Sequence, residues 1–346
     1  MSISKLACGP MSKEVVEAVF RYSHKFKQPL MLICSRNQVN AKNGYVFTTK
    51  EYVEYVAKMR RKYRKAKIMI CRDHCGPGFG LEPEYNLDAT RETIRNDLEN
   101  GFDLIHIDLC HMKVSHEEKL RHTQELMKFA IGIKSDVMFE IGTDENIGVT
   151  ETDVDKIVSD VKTCQQVANP LFYVVQTGSL VREIHNTSNF KVYHTGIIHY
   201  ELKTLNVKLK EHNADYLSTE DINWRKGVVD AVNIAPQLGV VQTNYVLSQA
   251  LIYGIDTRKF VSEVMNGDRW RKWVDQSRIA VVRGFNVDWF STNPQWMLFT
   301  LIAGHYHFNG STYQELVEKL AKKINIKENI VNEISKVIEH YLFALG

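Results

Sequence analysis

Residues 68–75 read Ile-Met-Ile-Cys-Arg-Asp-His-Cys, an apolar run from Ile68 to Cys71 that turns abruptly into Arg72, Asp73 and His74. A continuous apolar run is the mark of a strand buried on both faces, and its polar ending marks the point where the chain leaves the core. The same pattern recurs outward in both directions. Upstream lie Ile3 to Cys8 and Leu30 to Cys34; downstream lie Leu104 to Leu109, Val137 to Ile141, Phe172 to Gln176, Val207 to Lys210 and Val228 to Ile234. Helical patterns separate these runs, as in Ser12 to Lys25 with apolar Val15, Val16, Ala18, Val19 and Phe20. Eight such units predict an α/β fold, a (β/α)8 TIM barrel over residues 1–255. A doubly wound open sheet fits the same periodicity. After Tyr253 the alternation stops, and Phe260 to Met265, Trp296 to Ala303, Tyr313 to Lys323 and Ile330 to Leu345 read as helices. Residues 256–346 are therefore expected to form a helical C-terminal extension packed on the barrel. Ser179 to Asn206 mixes helical and turn-like residues and is assigned no helix boundaries.

The composition suits a large buried core: of 346 residues, 44% are hydrophobic and 25% charged, with 7 prolines and 19 glycines. This balance excludes disorder, collagen and coiled coil for the chain as a whole. With 44 Lys plus Arg against 41 Asp plus Glu the net charge is +3, which argues against nucleic acid as a partner. The basic run Lys58 to Lys67 ends an amphipathic helix with apolar Tyr52, Val53, Val56 and Met59, where cations complement the helix dipole. No apolar run approaches the roughly 20 residues of a membrane span. Met1 to Pro10 lacks the features of a signal peptide, so the expected location is the cytoplasm, with no membrane partner. The six cysteines are expected to be reduced thiols; Cys71 and Cys75, four apart, do not have zinc-ribbon spacing.

In a parallel barrel the chemistry sits where strands end. Here those ends are rich in polar groups: Ser35, Arg36, Asn37 and Gln38 after the second strand; Asp73 and His74 after the third; His106 and Asp108 in the fourth, before His111; Glu140 in the fifth, before Asp144 and Glu145; Gln176 closing the sixth; and Glu211, His212, Asn213, Asp215 and Tyr216 after the seventh. His74, His212, Asp108 and one of Glu140, Asp144 or Glu145 suit a divalent ion, Zn in preference to Mn, Fe or Co. Each has an ordinary alternative, as a helix cap or an internally paired polar group. Cys75 to Gly80 is glycine-rich but matches no phosphate-loop pattern, and Asn43-Gly44 reads as a turn. Trp270 to Trp273, with Arg278 and Arg283 nearby, reads as packing or as an anion clamp.

Several segments resemble the tagatose-bisphosphate aldolase accessory-subunit family, in the same order along the chain. Ser35-Arg36-Asn37-Gln38-Val39-Asn40 with Gly44-Tyr45 resembles its S-N-Q-V-N and G-G-Y; Asp73-His74-Cys75-Gly76-Pro77 its D-H-x-G-P; Ile105-His106-Ile107-Asp108 its I-H-L-D; and Ile141-Gly142-Thr143-Asp144 its I-G-T-E. Val174-Val175-Gln176, Glu211 to Tyr216, Trp270-Arg271-Lys272 and Ser277-Arg278-Ile279 continue the series. The resemblance implies a barrel related to class II aldolases. Members were named as non-catalytic partners of a class II tagatose-bisphosphate aldolase, and some relatives are 4-epimerases interconverting fructose 6-phosphate and tagatose 6-phosphate. Asp73-His74 resembles the catalytic Asp and metal-binding His of class II aldolases. The chain departs from the family in Arg36, in Asp144 for Glu and in Thr177 for Pro, departures that bear on the identity of the sugar.

Two functions emerge as expectations. The first is a metal-dependent enzyme acting on a ketose or ketose phosphate by retro-aldol chemistry, a C4 epimerase or aldolase. Asp73, Asp108, Glu140 and Asp144 are its candidate catalytic groups, and His74, His212, Asp108 and Asp144 its candidate metal ligands. Arg36, Asn37, Gln38, Gln176 and Asp215 are assigned to the sugar, and Arg271, Lys272 and Arg278 to a phosphate or other anion. The second is a non-catalytic subunit stabilising a class II aldolase. A homo-oligomer is expected in either case.

Overall fold

The computed structural model describes residues 4–79, 87–267, 269–274 and 295–346. Eight parallel strands close into a barrel: β1 (Leu6–Cys8), β2 (Pro29–Ser35), β3 (Lys67–Cys75), β4 (Leu104–Ile107), β5 (Met138–Gly142), β6 (Phe172–Val174), β7 (Lys208–Glu211) and β8 (Ala231–Ile234). Each strand pairs with its neighbour in sequence, and Leu6, Ala7 and Cys8 register with Val232, Asn233 and Ile234 to seal the ring. All eight predicted strands are present, and the sheet is closed rather than open. Closure leaves no unpaired barrel edge.

The helices α1 (Lys13–Phe26), α2 (Thr49–Lys62), α3 (Leu87–Glu99), α4 (His116–Ile133), α5 (Val154–Gln165), α6 (Val192–Thr204), α7 (Thr219–Arg225) and α8 (Pro236–Ile252) come after the eight strands in turn. Local chemistry sets their starts. The Ser12 side chain accepts from Val15 N at α1, and Thr48 and Glu51 form a reciprocal capping box at α2. Helix α2 buries Tyr52, Val56 and Met59, while Arg60, Arg61 and Lys62 finish it on the solvent side, as the basic run predicted. Between β6 and α6, the stretch without assigned boundaries holds a short hairpin pairing Val181–Arg182 with His185–Asn186. A buried pair secures that hairpin region: Arg225 Nε meets Glu211 Oε2 at 2.6 Å while its Nη2 reaches Ser188 Oγ at 2.9 Å. All six cysteines are free thiols.

Side chains alternate across each strand, so one parity faces the barrel interior and the other the helices. Ala7, Met31, Ile33, Cys71, Leu104, Phe172 and Ala231 form the apolar interior layer. Moving two residues on from Cys71, Leu104, Met138 and Ala231 gives Asp73, His106, Glu140 and Asn233, a polar layer above the apolar one. Arg72 has the opposite parity. It points out to α3, where its guanidinium holds Asp97 through Nε–Oδ2 at 2.6 Å and Nη2–Oδ1 at 2.8 Å, fully buried.

Beyond α8 come α9 (Arg258–Asn266), a 3₁₀ turn over Arg269–Trp273, α10 (Gln295–Ala303), a second 3₁₀ turn over Gly304–His307, α11 (Ser311–Ala321) and α12 (Ile326–Leu345). The described residues of this part are mostly helical, as predicted. Helix α12 lies against α1, α7 and α8. Its Tyr341 hydroxyl donates to Ala214 O at 2.6 Å and also accepts from Leu217 N at 3.2 Å, which pins the loop after β7. Among the described residues no helix is long and apolar enough to cross a membrane.

Candidate metal centre and its cavity

Asp73, His74, His106 and His212 converge at the C-terminal end of the barrel, their potential ligand atoms all within 4.8 Å of one another. They come from β3, β4 and the residue after β7. The three imidazoles are evenly spaced, with centroids 5.1 Å, 5.1 Å and 5.2 Å apart. His74 sits at φ 44°, a left-handed conformation, where the β3–β4 register shifts between Arg72 and Cys75. That bend turns both Asp73 and His74 towards the same point.

Each ring has one nitrogen committed to a buried acceptor. His74 Nδ1 donates to Asp108 Oδ2 at 2.8 Å, His212 Nε2 to Glu140 Oε1 at 2.7 Å, and His106 Nε2 to the Gly142 carbonyl at 2.9 Å. Those partners set the tautomers, so that His74 Nε2 and His212 Nδ1 carry lone pairs, while the lone pair of His106 Nδ1 accepts from the His74 backbone N–H at 3.2 Å. The three lie 3.8 Å, 3.4 Å and 3.7 Å from one oxygen, Asp73 Oδ1. Lone pairs and a carboxylate gathered in this way repel unless a positive charge sits among them. The electrostatics express the same demand: burial opposes charge, but the three imidazoles outweigh it and hold the Asp73 carboxyl well below the usual range. Burial likewise opposes the His74 imidazolium, yet Asp73 and Asp108 raise its pKa to about 9.

A proton on His74 serves that ring and the His74 N–H serves His106 Nδ1, whereas a metal ion would also engage the His212 lone pair. The potential ligand atoms lie close enough together, all within 4.8 Å, for one cation to meet the three ring nitrogens. A carboxylate or carbonyl on the far nitrogen of every ring is also the usual support of metal-ligating histidines. The donor set therefore fits a divalent transition metal, with nitrogen donors favouring Zn, Fe or Co over Mg or Ca.

Two predicted ligands lie outside this group. Asp108 has both oxygens engaged: Oδ2 takes His74 Nδ1 and the Thr143 hydroxyl at 2.8 Å each, and Oδ1 takes Cys110 N at 3.0 Å. It lies behind the His74 ring and outside the cluster. Asp144 Oδ1 caps Asn146 N at 3.1 Å, while its buried Oδ2 has no partner among the described residues; burial pushes its pKa up to about 7. Glu140, a candidate catalytic group, is fully buried between His212 and Lys210 Nζ, the latter at 2.6 Å, and it likewise lies behind a histidine. His106, noted at a strand end but given no role, takes the place expected of a carboxylate.

A cavity of about 540 Å³ opens above the cluster, with Asp73, His74 and His212 in its floor. Asn37, Gln38, Asn213 and Asp215 line it, and Phe79 stacks on His74 at 4.6 Å between centroids. Asp215 Oδ1 accepts from Ala235 N at 2.9 Å and Gln237 N at 2.8 Å at the start of α8; burial raises its pKa to about 7. Arg36 is buried elsewhere, donating to Gly76 O at 3.2 Å, and does not line the cavity. Gln176 lines a separate cavity of about 280 Å³ on the far side of Asp108. On the C-terminal 3₁₀ turn Lys272 faces the cavity and Arg271 lies over the Trp270 ring at 4.4 Å; Arg278 lies outside the described residues. Trp270 itself is packing, stacked on Phe299 at 4.3 Å. Trp273, from the segment read as packing or an anion clamp, also lines the wall, and Arg269, His305 and Tyr306 join it without having been predicted.

None of the curated proteins compared with this sequence matches it. Residues 4–135 match the sequence model of a family described as D-tagatose-1,6-bisphosphate aldolase subunit GatZ/KbaZ-like. Among solved structures, a probable tagatose 6 phosphate kinase from Sinorhizobium meliloti 1021 superposes with a TM-score of 0.78 at 14% identity, covering 99% of this chain and 100% of that one. The glycerol-complexed fructuronate-tagaturonate epimerase UxaE from Cohnella laeviribosi gives 0.63 at 13% identity over 100% of this chain and 83% of that one. The YdjI aldolase from Escherichia coli K12 gives 0.53 at 13% identity over 92% and 90%. At such identities the structural likeness establishes the fold. The resemblance read from the motifs is borne out over residues 4–135, which match the GatZ/KbaZ-like model and supply Asp73, His74 and His106 to the cluster.

Proposed function

We propose that this chain is a divalent-metal-dependent carbohydrate enzyme that cleaves and re-forms the C3–C4 bond of a ketose or ketose phosphate, as a C4 epimerase or an aldolase. The observation that carries this reading is the convergence of one nitrogen from each of three imidazoles on Asp73, each ring fixed from behind by its own buried acceptor. His74, His106 and His212 hold the ion. When bound, the ion supplies Lewis acidity towards the C2 carbonyl. Inverting C4 by simple deprotonation is closed off, because the C4 hydrogen is not adjacent to that carbonyl; bond cleavage, rotation of the aldehyde and re-addition reach the same product. Asp73, ionised at neutral pH and partly open to the cavity, takes the proton of the C4 hydroxyl as the bond breaks and returns it on re-addition. Asn37, Gln38, Asn213 and Asp215 are placed to bind sugar hydroxyls. Lys272 and Arg269 stand at the mouth for a phosphate or carboxylate.

A second reading, a non-catalytic subunit of a class II aldolase, rests on the family description together with an exposed stripe of Tyr193, Ile197 and Tyr200 on α6. Metal analysis of the purified chain, combined with a screen of ketose phosphates for epimers or fragments, tests the enzyme reading. The expected result is a bound transition metal and turnover abolished by chelator. Full activity in both Asp73→Asn and His74→Ala excludes this mechanism, and stabilisation of a separate aldolase by a chain without turnover supports the second reading.

A further inference from the structure

His305 belongs to the 3₁₀ turn Gly304–His307, outside the barrel strands, yet its side chain reaches the site. It is 1% exposed, and among the described residues neither Nδ1 nor Nε2 has a partner in hydrogen-bond geometry, although the Ile302 backbone acts on the ring. Buried ring nitrogens are ordinarily paired, so two open ones in one imidazole call for a ligand or a transferable proton. The residue also lines two cavities at once, the catalytic one and an outer one of about 270 Å³ whose wall includes Lys13, Glu14 and Lys327.

The backbone is cut back to admit this ring. A Cβ on Gly239, in the first turn of α8, would fall 2.6 Å from His305 Cβ, and one on Gly304 would fall 2.6 Å from Thr243 Cγ2. Burial, reinforced by Lys272, His307 and Arg269, holds the imidazole in its neutral form. A neutral ring has one N–H and one lone pair, which lets it release a proton on one side while accepting one on the other.

We propose that His305 relays protons between the outer and catalytic cavities and protonates the enediolate left by C3–C4 cleavage. The proposal rests on the retro-aldol reading above. Cleavage leaves the bonding pair in the C2–C3 enediolate, and C4 becomes an aldehyde whose hydroxyl proton has passed to Asp73. The His305 N–H then gives its proton to C3, forming the new C–H bond, while the other ring nitrogen takes a proton from water in the outer cavity. Asp73 returns its proton to solvent, so the charge balances. The reverse sequence restores the tautomer and exchanges the C3 hydrogen with solvent.

The test compares wild type, His305→Gln and His305→Ala in D2O. Proton NMR tracks deuterium entry into dihydroxyacetone and dihydroxyacetone phosphate, and ketose phosphate cleavage is measured on the same preparations. The relay predicts that the ratio of deuterium incorporated to cleavage falls at least about tenfold in both variants, within the range of general acid–base effects. Exchange and cleavage falling in parallel would assign His305 to packing, and an unchanged ratio would also overturn the relay. In either of those cases wild-type cleavage leaves the retro-aldol reading standing. A wild-type chain that epimerises C4 but neither exchanges nor cleaves overturns the relay and leaves the retro-aldol reading standing, and one that does none of the three removes both.

Discussion

The floor of the site and its mouth are built on opposite plans. On the floor every imidazole is tied from behind to a buried acceptor, and the carboxylate acceptors are held in turn, Asp108 by Thr143 and Cys110 N, Glu140 by Lys210. At the mouth the cations rest on ring faces: Arg269 lies 4.9 Å from the Tyr306 centroid and Lys272 lies 4.7 Å from that of Trp273. Directional bonds hold a ligand's angle tightly, whereas a ring face lets a charged head swing without losing contact. On the proposed function, the floor suits one geometry of metal and carbonyl, and the mouth an anion whose position varies with the sugar.

The largest effect should come from breaking the floor at its centre. Asp73→Asn should lower turnover by about 10²–10⁴-fold while bound metal, measured by elemental analysis, is retained. His106→Ala should lose the metal itself. One layer back, Asp108→Asn and Glu140→Gln should each weaken metal affinity by about 10–100-fold in chelator competition. If they leave it unchanged, the floor is no more rigid than the mouth. At the mouth, Lys272→Ala and Arg269→Ala should raise KM about tenfold for phosphorylated sugars with kcat little altered, the signature of lost uniform binding. Equal loss on unphosphorylated sugars would remove the anion role. The smallest effect concerns stability. Burial raises Asp144 to about 7, above its unfolded value, so folded Asp144 keeps its proton where the unfolded chain has lost it. Stability from this group is present in acid and is lost as pH rises towards about 7. The midpoint of chemical denaturation should therefore fall over that interval in wild type and fall less in Asp144→Asn.

The barrel was legible because each strand announces its own end, as Ile70 and Cys71 do before Asp73 and His74. Side-chain directions stayed hidden. His106 shares parity with Leu104, so alternation along β4 already places it inside the barrel; attention to the residues just beyond each strand passes over it. The two candidate carboxylates, Asp108 and Asp144, are chemically alike, and sequence does not say whether an oxygen meets a metal or the back of a histidine. At the mouth, residues three apart on a 3₁₀ turn share a side. Arg269 and Lys272 therefore face the cavity together while Arg271 falls on Trp270, a grouping that depends on knowing the helix type. Gln176 lies just past β6 as expected, but faces the neighbouring cavity.

Gly142 gives the three histidines unequal exposure to genetic change. His74 and His212 depend on carboxylates that a single substitution can neutralise, so their tautomers can be altered one side chain at a time. His106 depends on a main-chain oxygen, which no side-chain replacement deletes. The residue carrying that oxygen is itself constrained, with φ at +87° and the Val174 carbonyl 2.4 Å from where a Cβ would stand. Drift in this lineage should therefore erode the site first through Asp108 or Glu140, leaving an intact barrel with His106 still correctly oriented. A relative that has lost turnover but kept its fold would carry that fossil.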